Sequence, residues 1–234
     1  GDAGTLKEVQ EFQDRLLNAK LDLAFKQIRG GLAPGGTIHY DLVSEIRAQV
    51  PKGRHAEFEK LRQDLFTTLV KRGLSALNAP EYSPRRAYEA IAADVRRLTR
   101  DFPKRTEKLA GLREVLFSKT VKSLEEALGK PNNSALTVYA DVTAVTQMML
   151  RDFPARKPRI ERLADRRLVL ADRAVKRARE ASATEETHRV LAGFYSKLTR
   201  DFAKKKDALK PFKEAIESLG LRLAVPLIKR AGEM

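Results

Sequence analysis

Apolar residues recur every three or four positions along most of the chain. Leu6, Val9, Phe12, Leu16, Leu17, Leu21 and Phe25 fall at that spacing, which predicts an amphipathic helix from about Thr5 to Arg29. Five of the seven residues from Gly30 to Gly36 are Gly or Pro, so the stretch reads as a linker loop. A Gly-rich loop that cradles phosphate follows a strand and ends in Lys-Ser or Lys-Thr. This one follows a helical pattern and lacks that ending.

Beyond the loop the pattern repeats. Arg100-Asp101-Phe102-Pro103, Arg151-Asp152-Phe153-Pro154 and Arg200-Asp201-Phe202-Ala203 are copies of one motif, with a weaker copy at Gln49-Val50-Pro51. The spacing, about fifty residues, indicates duplication. Upstream of each copy lie Leu42/Val43–Ile46–Val50, Ile91–Val95–Leu98–Phe102, Val142–Val145–Met149–Phe153 and Leu191–Tyr195–Leu198–Phe202. Downstream lie Phe58–Leu61–Leu65–Leu69, Leu109–Leu112–Leu116, Ile160–Leu163–Leu170 and Leu209–Phe212–Ile216–Leu219. Each set places apolar groups on one helical face. The prolines fall between the two sets, where a fixed φ and a missing N–H suit a turn or a helix start.

The repeated unit is therefore helix, short turn, helix. Asn78-Ala79-Pro80, Gly129-Lys130-Pro131-Asn132-Asn133 and Ala181-Ser182-Ala183-Thr184 separate the units. Ser83-Pro84 and Thr184-Glu185-Glu186 read as N-caps followed by early helical residues. The fold class is all-α: antiparallel up-down bundles built from four helical hairpins plus an N-terminal helix, nine helices in all. A chain of 234 residues has room for two four-helix bundles, with the last helix left over.

Composition adds charge to this picture. Lys and Arg number 46 against 31 Asp and Glu, a net charge of +15. A charge of that size predicts attraction to an acidic partner: nucleic acid, an anionic membrane face or an acidic protein surface. Cysteine is absent, which removes disulfides, thiolate catalysis and cysteine-based metal sites. No stretch approaches the ~20 apolar residues of a membrane span. The chain opens on Gly1, which suits a mature form whose targeting peptide has been removed.

Little catalytic chemistry is visible. His39, His55 and His188 are not paired at i, i+4, so zinc-protease spacing is missing. Glu185 and His188 make one Glu-x-x-His, and a di-iron bundle needs two with further glutamates. Glu125-Glu126 read as a solvated helix face. No Ser, His and acid group stands out. The expectation is a non-enzymatic protein with no catalytic residues, no cofactor and no metal.

Basic residues recur at one point of each unit: Lys52 and Arg54; Lys104 and Arg105; Arg156, Lys157 and Arg159; Lys204, Lys205 and Lys206. They fall in the turn, near a helix N-terminus whose dipole is already positive, so they are not placed to stabilise that helix. They read either as solvated turns or as a basic rim that docks on an acidic partner. Aromatic residues make up 6% and Trp is absent; no base-stacking motif or recognition helix appears, which argues against nucleic acid.

One resemblance narrows the partner. Tyr40-Asp41-Leu42, Ile46, Ala48 and Pro51-Lys52 are followed by Leu61, Leu65-Phe66 and Thr67-Thr68, then by Ser83-Pro84, Ala87 and Tyr88. In this order they resemble the C-terminal half of the PsbQ family, the extrinsic lumenal subunits of photosystem II. There a Tyr-Asp-Leu helix, a Pro-Lys turn, a Leu-Phe helix and a Ser-Pro-started helix follow one another. The resemblance runs from Tyr40 to Phe102, with the N-terminal helix standing for the family's first. Leu116-Phe117-Ser118 and Tyr139-Ala140-Asp141 repeat the pattern more loosely. The family is a single four-helix bundle, and plant members carry a Pro-rich N-terminal strap that this chain lacks. A duplicated member is implied: a PsbQ-like bundle over 1–102 and a second helical-hairpin region over 103–234.

The resemblance implies a peripheral protein of the thylakoid lumen. It would dock by charge on acidic lumenal surfaces of photosystem II and stabilise the oxygen-evolving complex by helping retain calcium and chloride. The alternatives are a PsbQ-like subunit of another thylakoid complex, such as the chloroplast NADH-dehydrogenase-like complex, and a basic helical module that binds a polyanion.

Overall fold

The structure, a computed structural model, describes residues 2–33, 35–78, 84–130, 134–180 and 182–232. All regular elements among them are helical. Helix α1 (Asp2–Leu32) leads. A helix, a 3-10 turn and a second helix then follow in order four times. These are α2 (Tyr40–Ile46) and α3 (His55–Asn78), α4 (Pro84–Asp101) and α5 (Thr106–Gly129), α6 (Ala135–Asp152) and α7 (Lys157–Asp165) with α8 (Val169–Glu180), and α9 (Glu185–Asp201) and α10 (Lys210–Gly232). No helix among the described residues is long and apolar enough to cross a membrane.

The chain divides into two compact units, Gly1–Ala76 with Arg96–Leu112, and Leu77–Val95 with Arg113–Met234. In the first, Leu21, Phe25 and Ile28 of α1 join Tyr40, Val43 and Ile46 of α2, Phe58, Leu61, Leu65 and Phe66 of α3, and Leu98, Phe102 and Leu109 in one buried cluster. These are the positions that the helical spacing marks as apolar. In the second, α6 packs on α7 and α8, and α8 packs on α9 and α10. Its core includes Val142, Val145, Met149, Ile160, Leu163, Leu198, Phe212 and Leu219, each 3% exposed or less. The buried positions Ala171, Ala174 and Ala178 of α8 carry short side chains, so α8 and α10 can approach closely.

Three expectations are corrected. First, the apolar face expected along the whole of α1 is buried only in its second half. Leu21 and Phe25 are 1% exposed, whereas Leu6, Phe12 and Leu16 are 69%, 62% and 47% exposed. Every described residue from Gly4 to Leu16 is exposed, so no element packs against any side of this half of the helix.

Second, the loop expected over Gly30–Gly36 begins later, at Ala33. Helix α1 continues through Gly30 and Gly31 to Leu32. The half-buried Arg72 of α3 donates to the carbonyls of Gly31, Ala33 and Gly36 at 3.0, 2.8 and 2.9 Å. It thus satisfies carbonyls that a helix end leaves without partners. Gly31 is required by contact, since a Cβ there would stand 2.2 Å from the Thr37 carbonyl oxygen. Gly35 is required by its backbone, with φ +77°.

Third, the helix expected after Pro154 is interrupted by a 3-10 segment at Arg166–Leu168. Arg167 Nε donates to the Ala164 carbonyl at 2.7 Å, competing for the acceptor that an unbroken helix would give to the Leu168 N–H. The Thr184 cap is present: its side chain accepts from the Thr187 N–H at 3.1 Å. The cap at Ser83 and the separator residues Ala79, Pro80, Pro131, Asn132, Asn133 and Ala181 lie outside the described residues.

Two adjacent glycines therefore respond oppositely to alanine. Gly31→Ala lowers stability by about 1–3 kcal/mol, the usual cost of forcing atoms into filled space. Gly30→Ala, in the same helix with nothing within 4 Å of the new Cβ, is neutral or raises stability by up to about 1 kcal/mol. Thermal melts of the two variants check this.

Candidate docking surface

The repeated Arg-Asp-Phe motif has a structural task, and it decides which charges remain for docking. Asp101, at the end of α4, accepts a hydrogen bond from the Tyr40 hydroxyl at the start of α2, at 2.5 Å. Asp152 accepts from Tyr88 at 3.1 Å, and Asp201 accepts from Tyr139. In each pair the aspartate belongs to the unit after the tyrosine's. The preceding arginine braces the carboxylate: Arg100, Arg151 and Arg200 lie 2.8, 3.3 and 3.4 Å from it.

A second arginine closes the joint from the other helix. Arg62 donates to the Asp101 carbonyl at 2.8 Å and Arg113 to the Asp152 carbonyl at 2.9 Å. Arg167 instead reaches the Asp201 carboxylate, at 3.6 Å. These three guanidiniums lie over Phe102, Phe153 and Phe202 at 4.9, 5.5 and 5.3 Å. Phe102 in turn meets Phe66, and Phe153 meets Phe117, with ring centroids 5.1 and 5.2 Å apart.

The environment of the joint moves its proton affinities. The Arg100 hydrogen bond, aided by Tyr40, holds the Asp101 carboxyl below its usual range against the opposing effect of burial. Burial, then the Asp101 hydrogen bond, pushes the Tyr40 hydroxyl well above the usual phenol value. Burial and Asp201 do the same to Tyr139.

The turn cations proposed for docking fall into two groups. One group is occupied within the fold. Arg54 pairs with Asp22 and Glu57, each at 2.8 Å, and lies over Phe25 at 4.7 Å. Arg105 lies over Phe66 at 4.9 Å. Arg156 pairs with Glu114 at 2.8 Å and lies over Phe117 at 5.3 Å, where Arg159 joins it at 5.4 Å. Lys205 pairs with Asp165 at 2.9 Å and Lys157 with Glu161 at 3.7 Å. The other group, Lys52, Lys104, Lys204 and Lys206, is exposed and has no ion pair among the described residues.

One cleft borders these turns. It has a volume of about 420 Å³ and lies in the first unit beside the Pro103–Arg105 turn, where Arg47, Gln63, Lys104 and Arg105 line it with the Arg62–Asp101 joint. Its arrangement can bind an anion; it holds no nucleophile and base in contact that would suggest chemistry.

The histidines lie apart from it. His55 Nε2 is 2.9 Å from the Val50 carbonyl oxygen, and His188 lies beside Gly220. No group of three or more His, Asp or Glu placed to hold a metal lies among the described residues.

Sequence reasoning used Arg-Asp-Phe only to mark the period and did not single out Arg62, Arg72, Arg113 or Arg167. The available signal was that Tyr40, Tyr88 and Tyr139 recur with nearly the same period, one unit ahead of the aspartates. Compared with known protein families, curated proteins and solved structures, the chain matches none.

The tyrosine–aspartate joints set a pH dependence. Unfolded phenols ionise near pH 10, while Tyr40 and Tyr139 hold their protons higher in the fold. Their stabilisation is complete below about pH 10 and is lost as the pH rises beyond it. Asp101 acts oppositely, contributing above about pH 4 and losing its effect in acid. Thermal melts from pH 8 to 12 will show a stability decline that becomes shallower in Tyr40→Phe and Tyr139→Phe. Each substitution lowers stability at pH 7 by about 1–2 kcal/mol.

Proposed function

We propose that the protein is a non-catalytic, peripheral subunit that docks by charge on the acidic lumenal face of photosystem II and helps retain calcium and chloride at the oxygen-evolving complex. The observation that carries the docking is the second group of turn cations. Lys52, Lys104, Lys204 and Lys206 stand exposed at turns of the repeated unit without ion-pair partners among the described residues. Cations with a carboxylate partner are already paired; these four keep their charge for another surface. On a chain of +15 they favour fast, salt-sensitive association with an acidic face. The photosystem, the lumen and the ion retention rest on the resemblance of Tyr40–Phe102 to the PsbQ family.

Reconstitution tests the reading. Photosystem II membranes stripped of extrinsic subunits by salt are given the purified chain. Rebinding at low salt, release at high salt and recovery of oxygen evolution at low calcium and chloride are expected. The quadruple variant Lys52→Gln, Lys104→Gln, Lys204→Gln, Lys206→Gln should rebind at least tenfold more weakly with an unchanged thermal midpoint. No rebinding by the unaltered chain overturns the reading; retention on another thylakoid complex or on nucleic acid would assign it there.

A further inference from the structure

Four equivalent positions on successive helices each precede a large apolar residue by three: Asp22 before Phe25, Gln63 before Phe66, Glu114 before Phe117 and Asp165 before Leu168. A turn cation from the following unit reaches three of them. Arg54 meets Asp22 at 2.8 Å, Arg156 meets Glu114 at 2.8 Å, and Lys205 meets Asp165 at 2.9 Å. At the fourth position the residue is an amide, and the matching turn cation, Arg105, lines the same cleft as Gln63. Its guanidinium lies over Phe66 like its counterparts over Phe25 and Phe117, yet it has no ion pair among the described residues. The side chain is held in place while its donors stay open.

The 420 Å³ cleft lies at this position and has Gln63 in its wall. The carboxylates that border it are already engaged: Asp101 in the tyrosine joint, and Glu59 with Arg62 at 2.6 Å. Arg47, Lys104 and Arg105 remain as three lining cations with no ion pair among the described residues. Removing the counter-ion from a planar, stacked guanidinium leaves a fork suited to bidentate recognition of a carboxylate.

From this geometry we infer that the cleft takes a glutamate or aspartate side chain from an acidic segment of a partner protein, which fills the place left by Gln63. The inference rests on the reading of the chain as a docking subunit, and it names the point of engagement. A protein carboxylate is the indicated ligand because the equivalent pairs show that group fitting the stacked cation. The volume exceeds what a lone carboxylate needs, and Phe102 and Pro103 line it too, so neighbouring residues of the segment have apolar surface to lie against.

The test is Gln63→Glu, which supplies the missing carboxylate from within. The purified full chain is titrated with a fluorescent hexaglutamate peptide at low salt. The unaltered chain should bind, and Gln63→Glu should bind at least tenfold more weakly while keeping or raising the thermal midpoint. Lys119→Gln, an exposed position elsewhere with the same change in net charge, should stay within twofold. Equal binding by Gln63→Glu and the unaltered chain overturns the inference. So does inorganic phosphate that displaces the peptide at equal concentration, which would mark a site for small anions. The photosystem reading fails separately: if the unaltered chain does not rebind photosystem II yet the peptide result holds, the cleft stands without that partner. If chain and variant rebind photosystem II alike, the partner stands without the cleft.

Discussion

The fold depends on a hydrogen bond made one unit ahead. Each tyrosine near the start of α2, α4 and α6 is held by an aspartate that the chain supplies 61 to 64 residues later. A part-buried carboxylate is costly unless its lone pairs are filled, and here a phenol and the neighbouring arginine fill them. The phenylalanine that follows occupies the apolar side of the same joint. One tripeptide therefore ends a helix, starts a turn and joins two successive units. The first turn has Gln49 where later turns have aspartate, and the position in α9 matching Tyr139 is His188.

The same economy changes the meaning of the basic turns. A guanidinium on a helix N-terminus gains nothing from the helix dipole, but it gains from a ring face beneath it. Arg54, Arg105 and Arg156 cover Phe25, Phe66 and Phe117, so part of the +15 charge holds the fold together. On the proposed reading, docking falls to the lysines, whose compact ammonium groups reach into solvent, and to Arg105. The inferred site comes from interruption of a pattern: where Gln63 breaks the row of carboxylates, Arg105 is left without an ion pair among the described residues.

Much of this was legible in the sequence. The spacing of Phe58, Leu61 and Leu65, or of Val142, Val145 and Met149, places helices and core because burial imposes the helical period directly. The period of Arg-Asp-Phe is equally plain. What it does was hidden, because Tyr40 and Asp101 belong to different units and no local pattern couples them. The same holds for Gly30–Gly36. Its glycines read as a loop because the clamp, Arg72, is supplied from α3, 36 to 41 residues away. The break at 166–168 was missed for a local reason, since Leu163 and Leu170 stay in helical phase across it. The exposure of Phe12 was missed because apolar spacing along α1 does not show whether another element lies against it.

The joint has a consequence for how such a chain can change length. Excising the stretch from Arg100 to Leu150 would bring Asp152 to the distance from Tyr40 that Asp101 now has, and would leave Asp201 62 residues after Tyr88, within the 61 to 64 residues that the joints span. Both surviving joint tyrosines would meet an aspartate, and Arg62 would meet a carbonyl. A deletion half as long would leave phenols and carboxylates facing aliphatic surface. The protein can therefore grow or shrink only in whole steps of about fifty residues, as a chain is shortened by links and never by fractions of one.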